Sequence, residues 1–134
     1  MKIAVIGKGN IGGTLGSRWR AAGHDVVFGA RDGSGEGPGG ALLAAAAPSA
    51  KYVRAFNSLG WENFADPVPG ANLFFAADPE ARATAEELIS AVGLEPAFLG
   101  DATATQTVDA LLPLWFALVK QNGGDRKVAL RIVR

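Results

Sequence analysis

The chain has 134 residues, equal numbers of acidic and basic side chains, and no cysteine. That length suits one domain with its own core, so we expect residues 1–134 to form a single domain. The absence of cysteine fits the reducing cytoplasm, where we expect the protein to be found. A net charge of zero provides no overall field for nucleic acid or an anionic membrane, and the absence of cysteine excludes disulfides and thiolate-bound zinc. No cluster of metal ligands stands out, and we expect no metal site.

The first 30 residues predict a β-α-β unit. Lys2–Ile6 is a short apolar run, typical of a strand buried in a parallel sheet. Apolar residues then recur at helical spacing as far as Gly23, where we expect the helix to end. Asp25–Ala30 is the second predicted strand.

The rest of the chain predicts further strands and helices separated by loops. The predicted strands are Lys51–Phe56, Asn72–Ala77, Glu95–Leu99 and an edge strand at Lys127–Val133. Between the second and third strands we expect a glycine-rich loop, Asp32–Gly40, and a short helix, Ala41–Ala47.

Two longer helices are predicted in the second half of the chain. One runs from Pro79 to Val92 with Asp78 as its N-cap. The other begins at a cap on Thr103 or Thr105, is kinked by Pro113 and reaches about Gln121. Its apolar stretch, Ala110–Val119, is too short to cross a bilayer and predicts a buried helix.

A glycine motif follows the first strand and opens the first helix. Gly7 permits a tight turn, Gly9 lets a pyrophosphate approach the backbone, and Gly12 lets the helix pack closely on the sheet. The amides that open the helix would face the anion, with the helix dipole in support. The alternative is a glycine-rich turn that serves packing alone. The strand-turn-helix-strand context favours a dinucleotide site.

The end of the second strand bears on the choice of cofactor. NAD-binding proteins usually place a carboxylate there, whereas Ala30 and Arg31 occupy this region here. Arg31 can hold a 2'-phosphate through two hydrogen bonds, and Lys8 can add a second charge. A shifted register would instead let Asp32 bind the ribose. The sequence favours NADP over NAD.

Asn57 and Ser58 follow the third predicted strand. Polar groups at the carboxyl end of a strand lie where ligands bind in open α/β sheets, although a simple loop cap explains them equally well. The single histidine, His24, lies between a helix end and a strand, and we expect it to be structural. No pair of carboxylates or serine-histidine arrangement stands out.

Several segments resemble the coenzyme F420-dependent NADP oxidoreductase family, whose NADP domain is similar to that of the STEAP metalloreductases. The resemblance covers nearly the whole chain and is carried, in order, by IGKGNIGGTLGSRW, AAGHDVVFGAR, KYVRAFNSLGWENFADP, NLFFAADPEARATAEELISAVGLEPAFLGD, LLPLWFALV and ALRIVR. It implies an NADP(H)-binding oxidoreductase that passes hydride directly between NADPH and a deazaflavin or flavin acceptor. The protein would then align the cofactors and exclude water.

The resemblance also implies a set of contacts. Asn57 would lie near the nicotinamide and the deazaflavin, and Ala30 and Arg31 near the 2'-phosphate. The residues that would line the pyrophosphate are Gly7, Lys8, Gly9, Asn10, Ile11 and Gly12.

The chain departs from the family pattern after the second strand, where Asp32–Gly40 replaces further β-α units. We therefore expect a shortened Rossmann-like α/β fold, a three-layer sandwich with a mostly parallel sheet of about five or six strands and central order 2-1-3. The alternative function is a minimal, non-catalytic NADP-binding module, either a sensor or a partner subunit. A reduced core also predicts a homodimer through the last helix or the C-terminal strand.

Overall fold

The structure is a computed structural model that describes residues 1–7, 9–29 and 49–134. The predicted loop Asp32–Gly40 and helix Ala41–Ala47 lie outside the described residues. Within them, the strands are β1 (Lys2–Ile6), β2 (Asp25–Gly29), β3 (Val53–Arg54), β4 (Asn72–Ala77) and β5 (Glu95–Gly100). The α-helices are α1 (Asn10–Ala21), α2 (Glu62–Ala65), α3 (Arg82–Ser90), α4 (Thr105–Asp109) and α5 (Leu111–Gln121).

The predicted β-α-β unit is confirmed. β1 and β2 pair in parallel, from Lys2 opposite Asp25 to Ile6 opposite Gly29. A two-stranded sheet is marginal alone, and α1 covers it by burying apolar side chains such as Leu15. Gly23 follows α1 with a φ of +94°, a left-handed conformation that ends the helix.

A second sheet has the order β3-β4-β5, with β4 and β5 parallel. β4 is its central strand, and Leu73, Phe75 and Ala77 on it are fully buried. Phe75 also packs against Phe98 of β5, with ring centroids 5.4 Å apart. Parallel strands with helical crossovers bear out the α/β, Rossmann-like class that the sequence predicts.

The predicted central order 2-1-3 is wrong for the described strands. β3 is only Val53–Arg54, and it pairs antiparallel with β4 instead of lying beside β1. The cause lies just before it: Tyr52 donates its amide to the Asp78 carboxylate and accepts the Asp78 amide at its carbonyl. From this anchor at the carboxyl end of β4, Val53 and Arg54 run back along that strand.

The helix predicted at Pro79–Val92 consists of a 3-10 turn, Pro79–Ala81, followed by α3. Asp78 occupies the N-cap position, but its side chain caps no helical amide because it binds the amide of Tyr52 instead. Proline at the first helical position is confirmed.

The last helix is divided and is less buried than expected. A 3-10 turn, Ala102–Ala104, leads into α4 and α5, which are separated at Ala110. Pro113 has no amide hydrogen to give to the carbonyl four residues earlier, which explains the break there. The cap is Asp101, whose side chain accepts the amide of Thr103.

The prediction that this helix is buried is wrong. The segment Ala102–Gln121 has the length and apolar composition of a membrane span, yet only 11% of its most apolar window is buried. Trp115 and Val119 face the core, whereas Leu114 and Phe116 are 47% and 52% exposed. One face of α5 packs on the domain, and its other faces are left open.

The C-terminal edge strand predicted at Lys127–Val133 is also not formed. The segment lies beside the start of β4, where Asn72 donates its amide to Leu130 and its side-chain oxygen accepts the amide of Ile132. Asn72 alone makes both bonds on the β4 side, so they do not form the repeated backbone pairing of a β-ladder.

Helix α1 joins the two sheets. Arg18 donates to the carbonyls of Phe64 and Ala65 at the end of α2, and Trp19 Nε1 donates to the Leu88 carbonyl of α3 at 3.0 Å. Both α1 and α3 return from the carboxyl end of one strand to the amino end of the next. Because their last turns meet, the carboxyl ends of the parallel strands lie at the opposite end, common to both sheets.

Candidate functional site

The glycine loop connects β1 to α1 at the carboxyl edge of the first sheet. Gly7 has a φ of +95°, which L side chains rarely adopt, so the chain can turn sharply there. A Cβ on Gly12 would lie 2.1 Å from the Gly7 carbonyl oxygen and 3.2 Å from Val5 Cγ1. Only glycine at position 12 allows the helix this close to the turn.

Gly9 is in a different situation. It is the N-cap of α1 in an extended conformation, and a Cβ there would meet nothing within 4 Å. The N-cap residue has no side chain to cap the helix, and the first turn carries no acidic residue. Among the described residues, no oxygen accepts a hydrogen bond from the first amides of α1, those of Asn10, Ile11 and Gly12. An uncapped helix start of this kind suits an anion.

The residues predicted to bind the 2'-phosphate, Ala30 and Arg31, lie outside the described residues, as do Lys8 and Asp32. The preference for NADP over NAD therefore stays a prediction from the sequence.

Asn57 belongs to a polar group with Arg54 and Asp109. Its Nδ2 donates to Asp109 Oδ1 at 2.8 Å, and Arg54 Nε donates to the same oxygen, also at 2.8 Å. The Oδ1 of Asn57 is buried, and no described residue donates a hydrogen bond to it. A buried acceptor left unpaired is unfavourable, so a hydrogen-bond donor that reached this oxygen would be stabilised there.

Phe56 explains how Asn57 reaches this position. It has a φ of +62°, a strained conformation for a bulky residue, two residues after the end of β3. Arg54 lies opposite Ala76, near the carboxyl end of β4, and Asn57 shares the Asp109 Oδ1 acceptor with Arg54. Thus Asn57 lies near the carboxyl edge, although β3 runs opposite to the strand that was predicted.

The other polar candidates are less open. Ser58 is 4% exposed and lies next to the core residue Leu59. The His24 ring lies 3.3 Å from the amino group of Met1 and 3.7 Å from Glu87, linking the start of β2 to α3. This agrees with the structural role expected for His24. Among the described residues, no group of three or more potential metal ligands occurs.

The described residues also line a cleft of about 610 Å³ along β5, away from both candidate elements. Glu95 and Phe98 line it, together with Arg82 of α3 and Arg131 of the C-terminal segment. Arg82 is already paired with Glu86 and stacked 4.2 Å from the Phe98 ring centroid. The glycine loop and the Asn57 group contribute no lining residue to this cleft, so its size does not make it the candidate site.

Reasoning from the sequence missed Arg54 and Asp109. Asp109 follows Asn57 by 52 positions and ends a short helix, so no local spacing connects them. From the sequence alone, Asp109 would be interpreted as a solvent-exposed residue at the end of a helix.

The comparisons with known proteins give a likeness in fold. No family model and no curated protein matches the chain. The crystal structure of a "putative f420 dependent nadp-reductase" from Arthrobacter sp. FB24 matches over 100% of both chains with a TM-score of 0.80 and 19% sequence identity. The chain therefore has the Rossmann-like α/β fold of that solved structure.

Proposed function

We propose that the chain is an NADP(H)-binding oxidoreductase that passes hydride between NADPH and a deazaflavin, such as coenzyme F420, or a flavin. The observation that carries the proposal is the close packing of Gly12 on the Gly7 carbonyl, 2.1 Å from a would-be Cβ, beside the open backbone of Gly9. Packing alone accounts for Gly12, but it does not account for an open Gly9 at an uncapped helix start. The fold likeness to a protein described as an NADP reductase supports the same function.

In this proposal a dinucleotide would contact the described residues at two places. The pyrophosphate would be held by Gly9, Asn10, Ile11 and Gly12, whose amides open α1 without a side-chain cap. The unpartnered Oδ1 of Asn57 would accept a hydrogen bond from the nicotinamide end. Lys8 and Arg31 would add positive charge at the phosphates, and Ser58 would border the Asn57 side.

When bound, NADPH supplies the hydride, so the chain need not supply an acid or a base. Its residues contribute by holding the phosphates on α1 and by fixing the nicotinamide end at Asn57. Alignment of this kind can contribute much of a rate enhancement when two cofactors react face to face.

Calorimetric titration with NADP+, NADPH and NAD+, repeated on Arg31→Ala, tests the proposal. Loss of a charged phosphate contact costs about 1.5–3 kcal/mol, or roughly ten- to a hundredfold in affinity for NADP(H). NAD+ has no 2'-phosphate and serves as the matched ligand, since its affinity should hardly change in the variant. Equal losses for NADP+ and NAD+ would contradict the role of Arg31, and no binding of either would overturn the function.

Turnover separates this proposal from the alternative, a non-catalytic NADP-binding module. The shortening at Asp32–Gly40 that the sequence resemblance implies would favour that alternative, although the matched solved structure is covered over its whole length. NADPH oxidation by the pure protein with F420 or FMN as acceptor would exclude it. NADPH binding without oxidation by either acceptor would favour it.

We further propose that the exposed face of α5 mediates a homodimer. Leu114 and Phe116 are about half exposed on an apolar helix whose only charged residue is Lys120. An apolar face with so little charge can meet its own copy without repulsion.

A further inference from the structure

The orientation of the Asn57 side chain is determined by its neighbour. Asp109 Oδ1 lies 2.8 Å from Asn57 Nδ2 and 2.8 Å from Arg54 Nε. An ionised carboxylate can only accept hydrogen bonds, so the amide nitrogen of Asn57 has to face it. The amide oxygen then points away from Asp109, and it is this oxygen that is buried without a partner.

The backbone of Asn57 is held as firmly as its side chain. Phe56, in its left-handed conformation, places its ring edge-on against Trp19 and Phe64, with centroid distances of 5.7 and 5.6 Å. Asp109 is the last residue of α4, immediately before the break at Ala110. Asn57 therefore has little freedom to turn, apart from rotation of its own amide.

Rotation of that amide by 180° would exchange donor and acceptor. In a free asparagine the two orientations differ little, and a ligand would select the one that it needs. Here the rotated state would bring the amide oxygen against the Asp109 carboxylate, placing two acceptors together. It would also break a charge-assisted hydrogen bond, a stronger kind than one between neutral groups.

We infer that Asp109 is a positioning residue, fixing Asn57 as a hydrogen-bond acceptor so that this site takes a ligand group carrying an N–H donor. The carboxamide amine of a nicotinamide ring has this chemistry. The inference rests on the proposed NADP(H) function. It adds that Asn57 accepts and the ligand donates in this contact, and that Asp109 determines this direction.

A pair of ligands that differ only in this donor provides the test. NADP+ carries a carboxamide, whereas its 3-acetylpyridine analogue carries a methyl ketone, which keeps the carbonyl and lacks the N–H. The wild-type protein should bind NADP+ about tenfold more tightly than the analogue, because the analogue leaves the buried Asn57 oxygen unpaired. In Asp109→Ala the amide can rotate, and this ratio should fall to within about twofold of one.

Two further variants separate positioning from general damage. Asp109→Asn can turn its own amide oxygen toward Asn57 and Arg54, so it should keep the wild-type ratio. Arg54→Leu leaves the bond between Asp109 and Asn57 intact and should keep it as well. A purely structural role for Asp109 would lower both affinities together in Asp109→Ala and leave the ratio unchanged, which would overturn the inference.

A measurement without the nicotinamide distinguishes the two possible failures. Adenosine 2',5'-bisphosphate carries only the adenosine end, and its affinity should be equal in all four proteins. If neither it nor NADP+ binds the wild type, the proposed function fails, and the inference fails with it. If both bind but the ratio does not respond to Asp109→Ala, only the inference fails.

Side-chain NMR adds a readout that needs no ligand. The amide protons of Asn57 should exchange slowly in the wild type and in Asp109→Asn, because one of them is bound to residue 109. They should exchange at least tenfold faster in Asp109→Ala. Equal exchange in all three proteins would contradict the positioning role, whatever the ligand affinities are.

Discussion

Replacing Gly12 with alanine tests the central contact of the glycine loop. The new Cβ would lie 2.1 Å from the Gly7 carbonyl oxygen, whereas ordinary van der Waals contact begins at 3.4 Å. To relieve the overlap, α1 or the turn at Gly7 must move by more than an ångström, and Val5 Cγ1 at 3.2 Å leaves no room on that side.

Two opposing effects determine the size of the change. Alanine is favoured over glycine inside a helix by about 1 kcal/mol. Inserting a methyl group into a packed region costs about 1–3 kcal/mol, and more when backbone is displaced, as it must be here. We therefore expect Gly12→Ala to lower the free energy of unfolding by about 1–2 kcal/mol. Urea titration followed by tryptophan fluorescence measures this change.

Gly9→Ala is the matched control. A Cβ at this position meets nothing within 4 Å, and the backbone is extended, so stability should fall by less than about 1 kcal/mol, the ordinary cost of alanine at an N-cap. If the open space receives the pyrophosphate, the same variant should lose at least about tenfold in NADP+ affinity. Gly12→Ala at wild-type stability or above would refute the close-packing argument. Unchanged NADP+ affinity in Gly9→Ala would refute the cradle.

Two other outcomes follow from features of the second half of the chain. Hydrogen bonds from the Thr103 hydroxyl and amide hold the pKa of Asp101 below its ordinary value, so its contribution to stability is present above about pH 4 and is lost as the pH falls through the folded-state value. Urea titrations between about pH 3 and pH 6 should therefore show a steeper acid loss in the wild type than in Asp101→Asn, which keeps a capping oxygen; equal profiles would contradict this. The proposed homodimer should dissociate in Phe116→Glu and persist in Val133→Glu when both are measured by light scattering, since Phe116 lies on α5 and Val133 on the C-terminal segment. Dissociation in Val133→Glu alone would show that the C-terminal segment forms the interface. A monomeric wild type would overturn the proposed homodimer.

The first sheet could be predicted from the sequence because its determinants are local. The apolar run Lys2–Ile6, the glycines after it and Gly23 each act on the few residues beside them, and the structure confirms the unit that they predict. β4 and β5 could be predicted for the same reason, because they are apolar runs separated by a helical segment that starts at a proline.

The direction of β3 could not be predicted, because tertiary contacts set it. The bonds between Tyr52 and Asp78 join residues 26 positions apart, and they use the side chain that was expected to cap a helix. Nor does any pattern mark Phe56 for a φ of +62°, a conformation that aromatic residues seldom adopt. The glycine part of the candidate site was thus visible in the sequence, and the group around Asn57 needed the structure.

The contacts that α1 makes with the rest of the domain have a consequence for divergence. In the described part of the chain, Arg18 and Trp19 supply the donors of three such bonds, and their acceptors are the main-chain carbonyls of Phe64, Ala65 and Leu88. A carbonyl is present whatever the side chain, so these hydrogen bonds tolerate substitution on α2 and α3 but not at the two donors. Sequence divergence can therefore replace most of the side chains of α2 and α3 along this contact without removing the acceptors that hold α1.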